Sequence, residues 1–116
     1  MRGMKVAILL AFLAASASGH AAEAPQSLTY HRCYVCHSDQ EILVGPAFAA
    51  VAASYRGQSG AVTKIANDIR TGIRNGGPWH MPPHPEITPD DARAMARYIM
   101  SLAPQQAGTP QAKQPR

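Results

Sequence analysis

Between Val62 and Ile73 the apolar positions Val62, Ile65, Ala66, Ile69 and Ile73 fall at steps of three and four. That spacing puts them on one face of a helix and predicts an amphipathic segment. Asn75-Gly76-Gly77 follows with residues that tolerate the left-handed conformation, which predicts its end there, and Gly72 is a weak point inside it. A second clear pattern runs through Met95, Tyr98, Ile99 and Leu102. It is preceded by Thr88-Pro89-Asp90-Asp91, with an N-capping hydroxyl, a proline suited to the first helical position, and two carboxylates at the positive end of the helix dipole. Residues 46–55 ("PAFAAVAASY") read as a third helix, alanine-rich, opened by Pro46 and closed before Gly57. Residues 26–36 read as a short first helix. Alternating strand patterns and hairpin signals are absent, so the pattern predicts an all-α domain of about four helices.

The two ends of the chain follow other rules. Residues 1–21 carry Arg2 and Lys5 ahead of an apolar run, Val6 to Ala17, and then small residues. That run is shorter than the roughly 20 apolar residues that span a bilayer, so it reads as a secretory signal peptide removed before Ala22. No stable membrane insertion is expected after cleavage. Residues 103–116, rich in Pro, Gln and Ala, have no apolar periodicity and read as a disordered tail. The expected domain is therefore 22–102, a size at which a cofactor, metal or cross-link often completes the core.

Charge changes little in this picture. The chain has 11 Lys and Arg against 7 Asp and Glu, but Arg2, Lys5, Lys113 and Arg116 belong to the two ends. Setting them aside leaves seven basic against seven acidic residues. A near-neutral domain gives no footprint for nucleic-acid binding.

The chemistry concentrates in "HRCYVCHS", which holds both cysteines of the chain. Cys33-Tyr34-Val35-Cys36-His37 is Cys-x-x-Cys-His, the attachment signal for c-type haem. One helical turn sets both thiols on one side to bond the haem vinyl groups, and the next residue offers an imidazole to the iron. A disulfide or redox dithiol would leave His37 without a task and would call for a βαβ context. A zinc site would have to recruit His31, His80 or His84 without the second paired cluster usual in structural sites. One motif means one haem.

If His37 is one axial ligand, the opposite position decides the function. The candidates lie in "GGPWHMPPHPEI", a loop stiffened by four prolines. Met81, followed by Pro82 and Pro83, is the favoured sixth ligand. His80 and His84 are the alternatives, and an open iron would make a small-ligand sensor or a peroxidase.

From Cys33 to Leu102 the ordered set "CYVCH", "VGPAF", "IRNGG", "MPP" and "DDARAMARYIMSL" resembles the short bacterial class I cytochromes c. The resemblance implies a small single-domain cytochrome c fold wrapped around one covalently attached haem c. It implies thioether links at Cys33 and Cys36, axial ligation by His37 and Met81, and the Pro46 carbonyl as acceptor from the His37 ring N–H. It also implies that Tyr98 packs against the first helix near the motif. Val44, Phe48, Ile69, Ile73 and Ile87 are the candidates for the apolar wall of the haem pocket. The function the resemblance implies is periplasmic electron transfer, without enzymatic turnover, by a monomer in weak, transient complexes with a dehydrogenase, an oxidase or another cytochrome. Two departures stand out. The connection between Asn-Gly and Met-Pro-Pro is short, which puts Trp79 two residues from Met81, and Gly72 stands where many relatives have a long basic residue. Arg70 and Arg74 are then the candidate partners for the haem propionates.

Overall fold

The computed structural model describes residues 23–74 and 80–104. The expected signal peptide, the Asn75-Gly76-Gly77 stop, Trp79 and the tail from 105 onward lie outside the described residues. Four α-helices follow in order: α1 (Gln26–Tyr30), α2 (Phe48–Tyr55), α3 (Ala61–Thr71) and α4 (Pro89–Ser101), with one 3₁₀ turn at Cys33–Val35 between α1 and α2. The all-α expectation holds, and the one strand-like pairing among the described residues is an isolated antiparallel bridge between Ile73 and Met81.

Helix α4 is the hub, packed against α1, α2 and α3. Its start is the one the sequence predicts: the Thr88 hydroxyl accepts from the Asp91 N–H at 3.1 Å, and Pro89 opens the first turn. Met95, Tyr98 and Ile99 are buried, with Met95, Leu28 and Ile87 among the most fully enclosed side chains. From α3, Ile65, Ala66 and Ile69 complete the same cluster. Among the described residues no charged or strongly polar residue is buried, so the core is held by apolar packing.

Three helix boundaries differ from expectation. The first helix does not run to Cys36: it stops at Tyr30, and Arg32 takes a left-handed conformation, φ 59°, before the 3₁₀ turn. Helix α2 begins at Phe48 instead of Pro46. Its first amides are met from outside, Phe48 N–H by the Ser38 carbonyl at 2.8 Å and Ala49 N–H by the Asp39 carbonyl at 2.9 Å, and Ala47, with ψ 141°, takes the N-cap position after Pro46. Helix α3 ends two residues earlier than its apolar stripe suggests. Gly72 has φ 75°, its N–H closes on the Asp68 carbonyl at 2.8 Å, and Ile73 leaves the helix to pair with Met81.

Candidate functional site

The left-handed step at Arg32 turns the chain into the 3₁₀ turn, where the Cys33 carbonyl accepts from both Cys36 N–H (3.1 Å) and His37 N–H (3.0 Å). This tight local winding brings Cys33, Cys36 and His37 to the border of one cavity. Both thiols are unpaired and partly buried. Burial pushes the Cys33 thiol up, against an opposing backbone hydrogen bond, and the neighbouring Cys36 adds to the rise. A free Cys33 is therefore held as the protonated thiol at neutral pH.

The His37 ring is fixed in three ways. Its Nδ1 lies 2.7 Å from the Pro46 carbonyl, which can only accept, so Nδ1 carries the proton and Nε2 keeps its lone pair for a metal. Phe48 stacks on it with ring centroids 4.9 Å apart and planes at 16°. Gly45 lies so close that a Cβ there would come 2.8 Å from Nδ1 and 2.9 Å from Nε2, so any side chain would displace the imidazole. The Gly45 N–H also holds the Cys36 carbonyl at 2.7 Å. The "VGPAF" segment is thus the rear support of the histidine. Its motif was legible in the sequence, but the need for glycine at 45 was not.

A second support joins distant parts of the chain. Asp39 accepts from the Tyr34 hydroxyl at 3.1 Å and from the Tyr98 hydroxyl at 2.5 Å. One carboxylate thereby connects the interior of the cysteine motif to α4. Tyr98 packs near the motif as expected; Asp39 is the partner that sequence reasoning missed, because 59 residues separate it from Tyr98.

Met81 is reached through the other end of the fold. Its N–H donates to the Ile73 carbonyl at 3.1 Å and its carbonyl accepts from the Ile73 N–H at 3.0 Å. The methionine is partly buried, packs against the core and borders the same cavity as the two cysteines and His37. Of the alternative ligands, His80 is exposed at the border, and the His84 Nδ1 lies 3.1 Å from the Glu86 carboxylate. A backbone hydrogen bond and then His84 hold the Glu86 carboxyl below its usual range.

The cavity measures about 590 Å³, within the range of sites that bury a large organic ligand. Its walls are chiefly aliphatic and aromatic, including Val44, Phe48, Ile69 and Ile73 as expected. Ile87 does not border it and is core instead. Arg70 and Arg74 do not border it either; the Arg70 Nε donates to the Ile87 carbonyl at 2.9 Å, while Arg32 lies at the cavity's edge. Among the described residues no three His, Cys, Asp or Glu side chains converge as metal ligands would. A thiol pair, an oriented imidazole and a thioether around one apolar cavity fit a covalently bound haem. Cys33, Cys36, His37, Pro46 and Met81, the five residues singled out in the sequence, all border it.

The family model described as Cytochrome c matches residues 21–103. Cytochrome c-551 of Pseudomonas denitrificans is 45% identical over 71 residues, covering 60% of this chain and 85% of that protein. Cytochrome c-551 of Pseudomonas aeruginosa is 37% identical over 103 residues, covering 84% and 98%. The crystal structure of Nitrosomonas europaea cytochrome c552 superposes with a TM-score of 0.62 at 32% identity, covering 66% of this chain and 95% of that one.

Proposed function

Because the chain belongs to the cytochrome c family, its redox group is one haem c bound through Cys33 and Cys36, and we propose that it is an exported electron shuttle whose iron is held by His37 and Met81. The haem supplies one-electron chemistry at iron. The residues of the chain do the rest. His37, oriented by Pro46, Phe48 and Gly45, presents Nε2. Met81, paired with Ile73, offers a neutral, polarisable sulfur, which favours ferrous iron and raises the potential. The aliphatic walls exclude water, so a change of charge at the iron requires little rearrangement around it.

The observation that carries this reading is the convergence of His37 and Met81 on one apolar cavity, each held by backbone contacts. Export to the periplasm is supported by the charged and apolar leader in residues 1–21. Among the described residues no helix is long and apolar enough to cross a membrane. Val35 and Val44, 61% and 48% exposed, border the cavity and offer apolar contact to a redox partner such as a dehydrogenase, an oxidase or another cytochrome. With domain charges nearly balanced, those encounters are weak and transient.

The visible spectrum of the haem-loaded protein tests the ligand set. A low-spin spectrum with the weak far-red band of iron–methionine ligation is expected, and Met81→Ala should abolish the band, lower the potential and admit carbon monoxide. A high-spin wild type, or a band untouched by Met81→Ala, refutes the assignment.

A further inference from the structure

Helix α3 ends against the methionine segment. Beyond the Ile73–Met81 pairing, the Arg70 carbonyl, freed by the helix end, accepts from the His84 N–H at 3.1 Å. Residues 81–84 are therefore fastened to the C-terminal end of α3 by three backbone hydrogen bonds, although Pro82 and Pro83 have no N–H to give. The seating is close at Gly72. A Cβ built there would lie 2.7 Å from the Met81 carbonyl oxygen, 2.8 Å from the Pro83 nitrogen and 3.0 Å from the Pro82 carbonyl carbon. All three are backbone atoms, in a segment stiffened by two prolines, so rotation of a side chain cannot relieve the contact.

Gly57 and Gly60 provide the contrast. All three have positive φ, 79° and 74° against 75° at Gly72, but a Cβ on either Gly57 or Gly60 would meet nothing within 4 Å. Gly60 is left-handed helical, with ψ 17°, whereas Gly72 has ψ 169°, a region open essentially to glycine alone, so Gly72 is set apart both by its backbone and by the loop against it.

We propose that Gly72 is a positioning residue for Met81: its missing side chain sets how closely the methionine loop seats on α3, and thereby where the thioether stands in the cavity. The proposal rests on Met81 being an iron ligand. A thioether is a weak, uncharged donor, so its hold on a metal depends on the chain delivering it within a few tenths of an ångström. A Cβ at 72 moves the backbone that makes this delivery.

The test compares Gly72→Ala with Gly60→Ala in the full, haem-loaded protein. Both variants place an L-residue at positive φ and lose stability for that reason, Gly72→Ala the more because its ψ of 169° suits glycine alone, so the ligand band and Met81 exchange, not stability, are the readouts that separate them. Only Gly72→Ala is expected to lose at least half of the far-red band, lower the midpoint potential, and speed hydrogen exchange at the Met81 N–H by about tenfold or more. Ile73→Pro, which deletes the donor to the Met81 carbonyl, is expected to weaken the band in the same way; an unchanged band there means that seating on α3 does not place the thioether and overturns the proposal even if Gly72→Ala does not fold. A band, potential and Met81 exchange rate as little changed in Gly72→Ala as in Gly60→Ala overturn the proposal. A wild type without the far-red band overturns the ligand assignment instead, and exchange at Met81 then still reports whether Gly72 seats the loop.

Discussion

At the scale of single residues, the cavity is framed by groups that each serve two neighbours. Asp39 is the clearest. It receives hydroxyls from Tyr34, inside the cysteine motif, and from Tyr98, buried on α4. Burial first, and then the adjacent carboxylate, push the Tyr98 hydroxyl well above its ordinary value of 10, and the same two causes raise Tyr34. Both hydroxyls thus stay protonated and keep donating where a free tyrosine would ionise. A tyrosine whose folded value is raised contributes its full stability below the unfolded value, about pH 10, and loses it as pH climbs toward the folded one. Tyr98→Phe should therefore cost about 1.5–3 kcal/mol near neutrality, the range for hydrogen bonds to a charged acceptor. That gap should narrow above about pH 10, where the wild type alone carries the penalty of ionising or burying the phenol. Denaturant unfolding of both proteins across that range checks it; a gap constant through the alkaline limb contradicts the shared-carboxylate account.

At the scale of elements, sequence and structure agree where an element carries its own signals and part where tertiary contacts decide. Helix α4 is the first kind. Thr88 caps it and in turn donates to the Asp91 carboxylate at 2.7 Å, so its start is written in four consecutive residues. Thr88→Ala is expected to cost about 0.5–2 kcal/mol. It should lower the thermal midpoint by about 4–8 °C per kcal/mol in a domain of this size, while Thr88→Ser should recover most of the loss in the same melting experiment. Helix α2 is the second kind. Pro46 looks like an opening residue, but its carbonyl is taken by His37 and the helix amides are met by Ser38 and Asp39. Those partners lie in another segment and leave no trace in local spacing. Ile73 shows the same limit: it extends the apolar stripe of α3, yet it sits past the helix end because pairing with Met81 and the turn at Gly72 prevail over periodicity. The candidate site was legible because Cys33, Cys36 and His37 are set by a fixed chemical spacing, and because Met81 stands on a proline-stiffened loop; the structure brings all four to one cavity. The glycines that make room, Gly45 and Gly72, were not legible, since a missing atom has meaning only against what lies beside it. Gly72 and the Ile73–Met81 bridge meet at one place, the seat of the methionine loop.

At the scale of the whole molecule, the question is what closes the core. The described domain is small, and its apolar residues are divided between helix contacts and the walls of a cavity of about 590 Å³. A domain of this size is stable by only about 5–10 kcal/mol. Left without their cofactor, those apolar walls would face water or collapse, and either outcome forfeits burial on which so small a domain depends. The haem is therefore as much a part of the core as Leu28 or Met95. The cysteines matter here beyond attachment, because a tethered cofactor cannot leave when the chain opens and refolding starts with the core already present. Replacing both Cys33 and Cys36 with alanine and extracting the haem should abolish the cooperative thermal transition and most of the far-ultraviolet helical signal. The untreated wild type should retain both, since its thioethers resist the same extraction. A haem-free double variant that still melts cooperatively with native helix content would mean that α1 to α4 close a core without the cofactor, through the α3–α4 and α2–α4 contacts alone.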